Sequence, residues 1–396
     1  MVCKANVSYR SVPKLFKAIN ESLGLDLKEP THATVLIWMK KQGIANFKEK
    51  QFFEGKKWFL IIDESIQFGN KKLLAVVAVL SSVIRNKALT YNDLTPLVLK
   101  SSNSWKAADI EQEIINTIDV KDVEYVVCDN GNNLKSACKL LNLKHIEDIN
   151  HKFSGFIKSV YEKDKIFESF TKKLSNFRRS SSLSKVAHLI PPNQRVVCRF
   201  MNLMPLFVWA DKTLGFIEEK KLQDFELEKV SFLSDYKPFI KDTLLILNTL
   251  NSIQKRLKTK HFSQIQINKC LLELVNLTSE KGVVITEQLI DYFKITMAKL
   301  EQKQEFVCSS DIIESSFGKY KEVVKANKSI GISDICLSIS CLTNTGDLQV
   351  LKKSLESIKI KDIEKWKNEN IGESLLKKRA LLYNKNRTNN KIKTAA

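Results

Sequence analysis

Residues 56–80, KKWFLIIDESIQFGNKKLLAVVAVL, decide the fold. Two runs rich in Val, Ile and Leu lie on either side of the polar turn FGNKK, a pattern that predicts two adjacent strands of one sheet. The first run reaches an acid, Asp63, where we expect the strand to end. An acid in this position either caps the turn or takes part in chemistry, so Asp63 is the first candidate functional residue.

The segment that follows, up to His151, extends this sheet. A third apolar run, LTPLVLK, is followed by the amphipathic pattern SWKAADIEQEIINTI. The strand pattern VEYVVCDNGNN then ends at a second acid, Asp129, before the short helix LKSACKLLNL and a final predicted strand, KHIEDINH. The order β-β-β-α-β-α-β predicts an α/β fold with a sheet flanked by helices.

Residues 7–50 are predicted to form two short helices. The first has apolar residues at helical spacing and is broken at Gly24 and Pro30, while the second starts with a possible cap at Thr31 and stops at Gly43. Two short helices with a tight break resemble a helix-turn-helix, whose second helix reads DNA. The alternative is a helical hairpin that packs on the next domain.

Composition favours a nucleic-acid partner. The 396 residues carry 64 Lys and Arg against 44 Asp and Glu, a net charge of +20. The alternative source of this excess is a proteome rich in lysine. No apolar run reaches the roughly 18–20 residues that span a bilayer, so we expect no membrane partner. Eight cysteines without a CxxC pair predict neither a disulfide framework nor a zinc site, and we expect a cytoplasmic protein.

A metal site built on Asp63 and Asp129 needs a third acid to complete its set of ligands. Glu314, in CSSDIIESSFGKYK, is the candidate, because Asp311 stands where the helix should start and would cap backbone amides. Glu314 also fits a capping box, which is its structural alternative. Carboxylates at strand ends can meet at one edge of a sheet and hold Mg²⁺, which prefers oxygen ligands. Two such ions, about 4 Å apart, support phosphodiester cleavage.

The order of these acids resembles that of the DDE transposases, whose catalytic core has the RNase H-like fold. IIDESIQFG is similar to the first-acid strand, VVCDNGNN to the second, and DIIESSFGKYK to the third-acid helix. The resemblance implies a bacterial insertion-sequence transposase with two Mg²⁺ or Mn²⁺ ions on Asp63, Asp129 and Glu314. It also implies double-stranded DNA as the partner (transposon ends and target), a homodimer in the synaptic complex, and a nucleoid-associated location.

Further residues enter through the same resemblance. Asp148 and His151 reproduce a D-x-x-H seen after the second acid in many DDE transposases, although a core histidine is the alternative for His151. In one branch of the family a Lys follows the Glu by seven residues, as Lys321 does here. That branch has Tyr and Arg where this chain has Val307 and Ser310.

In enzymes related to the DDE transposases an aromatic residue of an inserted domain stacks on a displaced base, and Trp209, preceded by Arg195 and Arg199, resembles that residue. A core tryptophan is the alternative. The residues predicted to contact DNA are Thr34, Lys40, Lys41, His151, Arg199, Trp209, Lys319 and Lys321.

Glu314 lies 185 positions after Asp129, farther than an uninterrupted fold needs, so we predict an insertion. The predicted domains are a helix-turn-helix (1–50), the first part of the core (51–155), an all-α insertion (156–300), the second part of the core (301–350) and a basic helical tail (351–396). Two alternatives stay open: another RNase H-like nuclease such as a resolvase, and a non-catalytic DNA-binding protein descended from a transposase.

Overall fold

The computed structural model divides into two compact units. It describes residues 1–5, 7–48, 55–68, 71–83, 87–193, 199–300, 305–325, 331–343, 348–375 and 377–383. The first unit, here called the sheet unit, comprises residues 1–85, 89–146 and 309–396. The second, the helical unit, comprises residues 86–88 and 147–308. The helical unit interrupts the sheet unit in sequence and includes more residues than the predicted insertion of 156–300.

The N-terminal helices are α1 (Val2–Ala5), α2 (Val12–Leu23) and α3 (His32–Lys48). The predicted break at Gly24 is confirmed, since Gly24 has a φ of 61° and donates its N–H to the carbonyl of Asn20. The predicted stop at Gly43 is wrong, because α3 continues for five further residues. Gly43 instead allows close approach, as a β-carbon there would lie 2.9 Å from the Ser340 hydroxyl.

The sheet has five strands: β1 (Trp58–Phe68), β2 (Lys71–Leu80), β3 (Leu94–Ser102), β4 (Val123–Cys128) and β5 (Lys144–Glu147). Their order is β3-β2-β1-β4-β5, with β1–β2 and β2–β3 antiparallel and β1–β4 parallel. Helices α4 (Ala107–Ile115) and α5 (Asn132–Leu140) precede and follow β4. The predicted element order and the α/β class are confirmed.

The prediction that strand β1 ends at Asp63 is wrong, because the strand continues to Phe68. Asp63 pairs with Ala75 of β2, a bulge follows, and pairing resumes at Ile66 opposite Leu73. The polar residues after Asp63 remain in the strand because β2 continues as their hydrogen-bonding partner, with Phe68 opposite Lys71. Asp63 therefore lies inside an antiparallel pair, next to a bulge.

The helical unit consists mainly of helices, as predicted. They are α6 (Ile149–Tyr161), α7 (Lys165–Ser181), α8 (Met204–Glu218), α9 (Asp224–Val230), α10 (Lys237–Lys260), α11 (Gln264–Leu274) and α12 (Glu280–Lys299). Its core is aromatic: the ring of Phe170 lies 5.5 Å from that of Phe207 and 5.6 Å from that of Phe239. Only the first part of the predicted strand KHIEDINH is extended, because Asp148 caps α6 and starts a helix at Ile149.

The chain then contributes α13 (Asp311–Lys325), α14 (Leu337–Cys341), α15 (Leu348–Ser357) and α16 (Ile360–Asn370) to the sheet unit. Ile44 and Ala45 of α3 form one apolar cluster with Leu337, Ile358 and Ile363. Helix α3 is therefore packed against the C-terminal helices of its own unit. Among the described residues, no helix combines the length and apolarity needed to cross a bilayer.

Candidate functional site

The parallel pairing of β1 with β4 places the first two acids. Phe59 is opposite Tyr125 and Ile61 is opposite Val127. Asp63 and Asp129 each follow the second pair by two residues. Because side chains in a strand alternate with a period of two, both acids continue the face that carries these two pairs. Both acids are half-buried.

This face is opposite to the one covered by α4 and α5. Leu60, Ile62, Val126 and Cys128 belong to the core that includes Ile110 of α4 and Leu134 of α5. Helix α13 lies against β1. Ile313 and Ser316 of α13 line a small cavity together with Ala75 and Val77 of β2. The first two acids are thus on the sheet face next to the helix that carries Glu314.

Asp129 is held by the turn that follows β4. The N–H of Gly131 donates to its carboxylate at 2.9 Å. A β-carbon at position 131 would lie 2.9 Å from the same oxygen, so the turn fits closely around the acid. The capping role that a strand-end Asp can have is therefore present. A carboxylate has about four acceptor sites, so this bond is compatible with metal ligation.

Glu314 lies in the first turn of α13 and is half-buried. The hydroxyl of Ser310 donates to its carboxylate at 3.4 Å, and its own N–H donates to the carbonyl of Ser310 at 3.2 Å. Helix α13 starts at Asp311, whose N–H donates to the Ser309 hydroxyl at 3.2 Å. Two serines therefore orient this turn, a contribution that the sequence reading did not identify.

Two predicted DNA-contacting lysines lie further along α13. Lys321 is exposed, two turns after Glu314. Lys319 places its ammonium 4.5 Å from the centroid of the Tyr91 ring, and the Tyr91 hydroxyl is 2.8 Å from that of Ser315. Both lysines therefore lie on the helix that carries Glu314.

The predicted recognition helix, α3, uses its lysines within the protein. Lys40 forms an ion pair of 2.6 Å with Asp334, and both side chains are about 15% exposed. Lys41 donates to the carbonyl of Leu355 at 2.7 Å. Thr34 is half-buried, with its hydroxyl 2.9 Å from that of Thr31. These contacts favour the alternative of a hairpin that packs on its neighbour, and DNA reading by α3 stays a prediction.

The helical unit holds the remaining predicted residues. Trp209 is half-buried, stacks on Phe177 with ring centroids 6.4 Å apart and donates its indole N–H to the carbonyl of Leu189 at 3.1 Å. These contacts favour the core alternative for Trp209. His151 is exposed on the first turn of α6, where its backbone N–H donates to Asp148 at 3.1 Å, so it is not a core histidine. The backbone of Arg199 belongs to a short 3-10 helix, while Arg195 is outside the described residues.

Asp148 is completely buried, and its carboxylate accepts the N–H groups of Asn150 and His151 at 2.8 and 3.1 Å. The aspartate of the D-x-x-H therefore has a structural role as the cap of α6. An aspartate directly before a helical pattern, as in DINHKF, is the signal that identifies such a cap.

The sequence matches no protein-family model and no curated protein.

Proposed function

We propose that this protein is a DDE transposase with an RNase H-like catalytic core. The observation that carries the proposal is the parallel pairing of β1 and β4, which gives Asp63 and Asp129 neighbouring positions on the sheet face next to α13. Glu314 is on that helix. The strand order β3-β2-β1-β4-β5, with an antiparallel three-stranded half, agrees with the RNase H-like sheet.

The three acids suit a hard divalent cation. All offer carboxylate oxygens, the ligands that Mg²⁺ and Mn²⁺ prefer, and all are half-buried. Asp63, Asp129 and Glu314 would hold two such ions, which when bound supply a nucleophile at neutral pH and stabilise the departing oxygen. The protein holds these acids in place through the β1–β2 pairing, the Gly131 N–H and the Ser310 hydroxyl.

The substrate in this proposal is double-stranded DNA, at the ends of a mobile element and at its target. Lys319 and Lys321 lie on the same helix as Glu314 and would hold backbone phosphates beside the acids. The net charge of +20 supports a polyanionic substrate. A homodimer that pairs two DNA ends, working at the nucleoid in the bacterial cytoplasm, belongs to the same proposal.

The test is a Mg²⁺-dependent nicking assay on a supercoiled plasmid that carries the DNA flanking the gene. Asp63→Asn, Asp129→Asn and Glu314→Gln should each reduce nicking by more than about 100-fold, because even outer-shell partners of a metal are worth 10–100-fold. Glu64→Gln and Asp311→Asn are the matched controls and should retain activity. Circular dichroism must show that every variant is folded.

Equal nicking by the three variants and the wild type would end the catalytic proposal. A strand-transfer assay with the same DNA separates a transposase from another RNase H-like nuclease, which would cleave without joining ends.

One observation favours a second candidate, a DNA-binding protein without catalysis. The bond between Gly131 and Asp129 is the turn cap expected if the acid were a relic. This candidate predicts DNA binding that is unaffected by chelation of metal and by Asp63→Asn.

A further inference from the structure

Two cysteines far apart in the chain meet in the sheet unit. Cys3 lies in α1 and Cys341 ends α14, yet their sulfurs are 3.4 Å apart. Cys341 is 3% exposed, whereas Cys3 is half-buried. The Cys3 thiol also lies 3.6 Å from the carbonyl of Cys341, to which it donates. Contact between two sulfurs is the precondition for a disulfide.

The two thiols differ in how readily they ionise. A hydrogen bond from the Cys341 thiol lowers the pKa of Cys3 below its ordinary value, and the charge of Lys319 acts in the same direction, against the effect of burial. The pKa of Cys341 is raised by its hydrogen bond to Cys3 and by burial. Cys3 is also the more exposed of the two sulfurs, so a reagent in solution reaches it first, and we assign Cys3 as the nucleophile and Cys341 as its partner.

A groove gives small molecules access to this pair. It has a volume of about 390 Å³ and is lined by both cysteines. Its apolar walls include Val35 and Trp38 of α3 and Leu351 of α15. The half-buried Cys3 sulfur is therefore accessible to a small reagent, whereas burial shields the Cys341 sulfur.

We propose that Cys3 and Cys341 form a peroxide-responsive pair, in which Cys3 reduces a hydroperoxide and Cys341 then closes an intramolecular disulfide. The Cys3 thiolate attacks the distal peroxide oxygen and the O–O bond breaks. The other oxygen takes up from solvent the proton that the Cys3 thiol had released, and leaves as water or an alcohol. Cys3 is now a sulfenic acid. The Cys341 sulfur attacks the Cys3 sulfur, the S–OH bond breaks, and the hydroxide takes the Cys341 proton and leaves as water.

The geometry requires only a small movement. A disulfide bond is about 2.05 Å long, so the sulfurs at 3.4 Å must approach by about 1.4 Å. Helix α1 is a single turn of four residues and carries Cys3. The disulfide would tether α1 to α14, which packs on α3. This inference does not depend on the proposed function.

The experiment treats the full chain with a small excess of hydrogen peroxide, alkylates the remaining thiols and maps peptides without reduction. The expected result is a linked Cys3–Cys341 pair, lighter than the two free peptides by two hydrogen atoms and separated again by dithiothreitol. Three outcomes would each overturn the proposal: oxidation of Cys3 to a sulfinic acid without linkage, linkage between two protein molecules, or two unmodified thiols.

Variants test the order of the two steps. Cys341→Ala should leave the sulfenic acid on Cys3, where dimedone traps it, and Cys3→Ser should leave no adduct on Cys341. Cys270→Ala, a buried cysteine of the helical unit, is the matched control and should still form the Cys3–Cys341 link. If Cys341→Ala fails to fold, the peptide map of the wild type still decides whether the Cys3–Cys341 disulfide forms. Dimedone capture on Cys341 in Cys3→Ser would overturn the assignment of roles.

Discussion

Phe59 of β1 and Tyr125 of β4 stack with ring centroids 4.9 Å apart and their planes within 3° of parallel. The two rings belong to a directly opposed pair in the parallel register. Asp63 and Asp129 each stand four residues further along their strand or its continuation. The stacked pair therefore fixes the alignment that gives the two acids neighbouring positions.

The close approach of α3 to α14 predicts opposite effects of alanine at two glycines. A β-carbon at Gly43 would overlap the carbonyl oxygen of Leu337, so Gly43→Ala should lower the free energy of unfolding by about 1–3 kcal/mol. Gly318, inside α13, has no neighbouring atom within 4 Å of such a β-carbon. Gly318→Ala should raise it by about 0.5–1 kcal/mol, because alanine favours the helix.

Urea denaturation of both variants measures this difference. If Gly43→Ala were as stable as Gly318→Ala, the tight contact between α3 and α14 would be wrong.

The ion pair between Lys40 and Asp334 predicts a structural role for a lysine that the sequence assigned to DNA. Lys40→Met leaves a partly buried carboxylate without its cation and should lower the free energy of unfolding by about 1–3 kcal/mol. A double-mutant cycle with Asp334→Asn should give a coupling above about 0.5 kcal/mol.

DNA affinity measured over a range of salt concentrations supplies the second readout. A lysine that neutralises a phosphate reduces the salt slope by about one. We expect the slope of Lys40→Met to equal that of the wild type. A reduced salt slope together with an unchanged free energy of unfolding would contradict this prediction and indicate that Lys40 contacts DNA.

Trp209 should stabilise the helical unit. Trp209→Ala removes both the stacking on Phe177 and the hydrogen bond to Leu189, and should lower the free energy of unfolding by about 3–5 kcal/mol. Trp209→Phe keeps an aromatic ring and loses the bond, which should lower it by only about 0.5–1.5 kcal/mol. Thermal and urea denaturation check the order, and equal stability of both variants and the wild type would contradict it.

His261 predicts a loss of stability in acid. It is 1% exposed, and its Nε2 has no hydrogen-bond partner among the described residues. Burial lowers the pKa of His261 below its ordinary 6.5. When the pH falls below about 6.5, the unfolded histidine binds a proton that the folded one does not. The free energy of unfolding should then fall by up to about 1.4 kcal/mol per pH unit.

His261→Asn is the control, since asparagine has a polar side chain that does not titrate in this pH range. The measurement is the free energy of unfolding between pH 5 and 8 for both proteins. The difference between the two curves isolates the histidine, and parallel curves would contradict the prediction.

Much of the fold could be predicted because its signals are local. The apolar runs around residues 56–80 predicted two strands, and the helix before β4 was predicted from its amphipathic spacing. The three acids could be identified as candidates from the sequence. Their spacing along the chain does not specify the register between β1 and β4, so the sequence could not show that Asp63 and Asp129 have neighbouring positions. The lysines of α3 were assigned from their position on a helix, and their partners lie about 300 residues away.

The sequence by itself determined the order of the strands and helices along the chain, the helical character of residues 156–300 and the basic charge, because periodicity and composition act over a few neighbouring residues. Only the tertiary structure decided that β1 continues past Asp63, that Gly43 serves close approach, and that Cys3 meets Cys341. Each of these outcomes depends on a partner segment distant in sequence, whose position is set by packing and hydrogen bonding between elements.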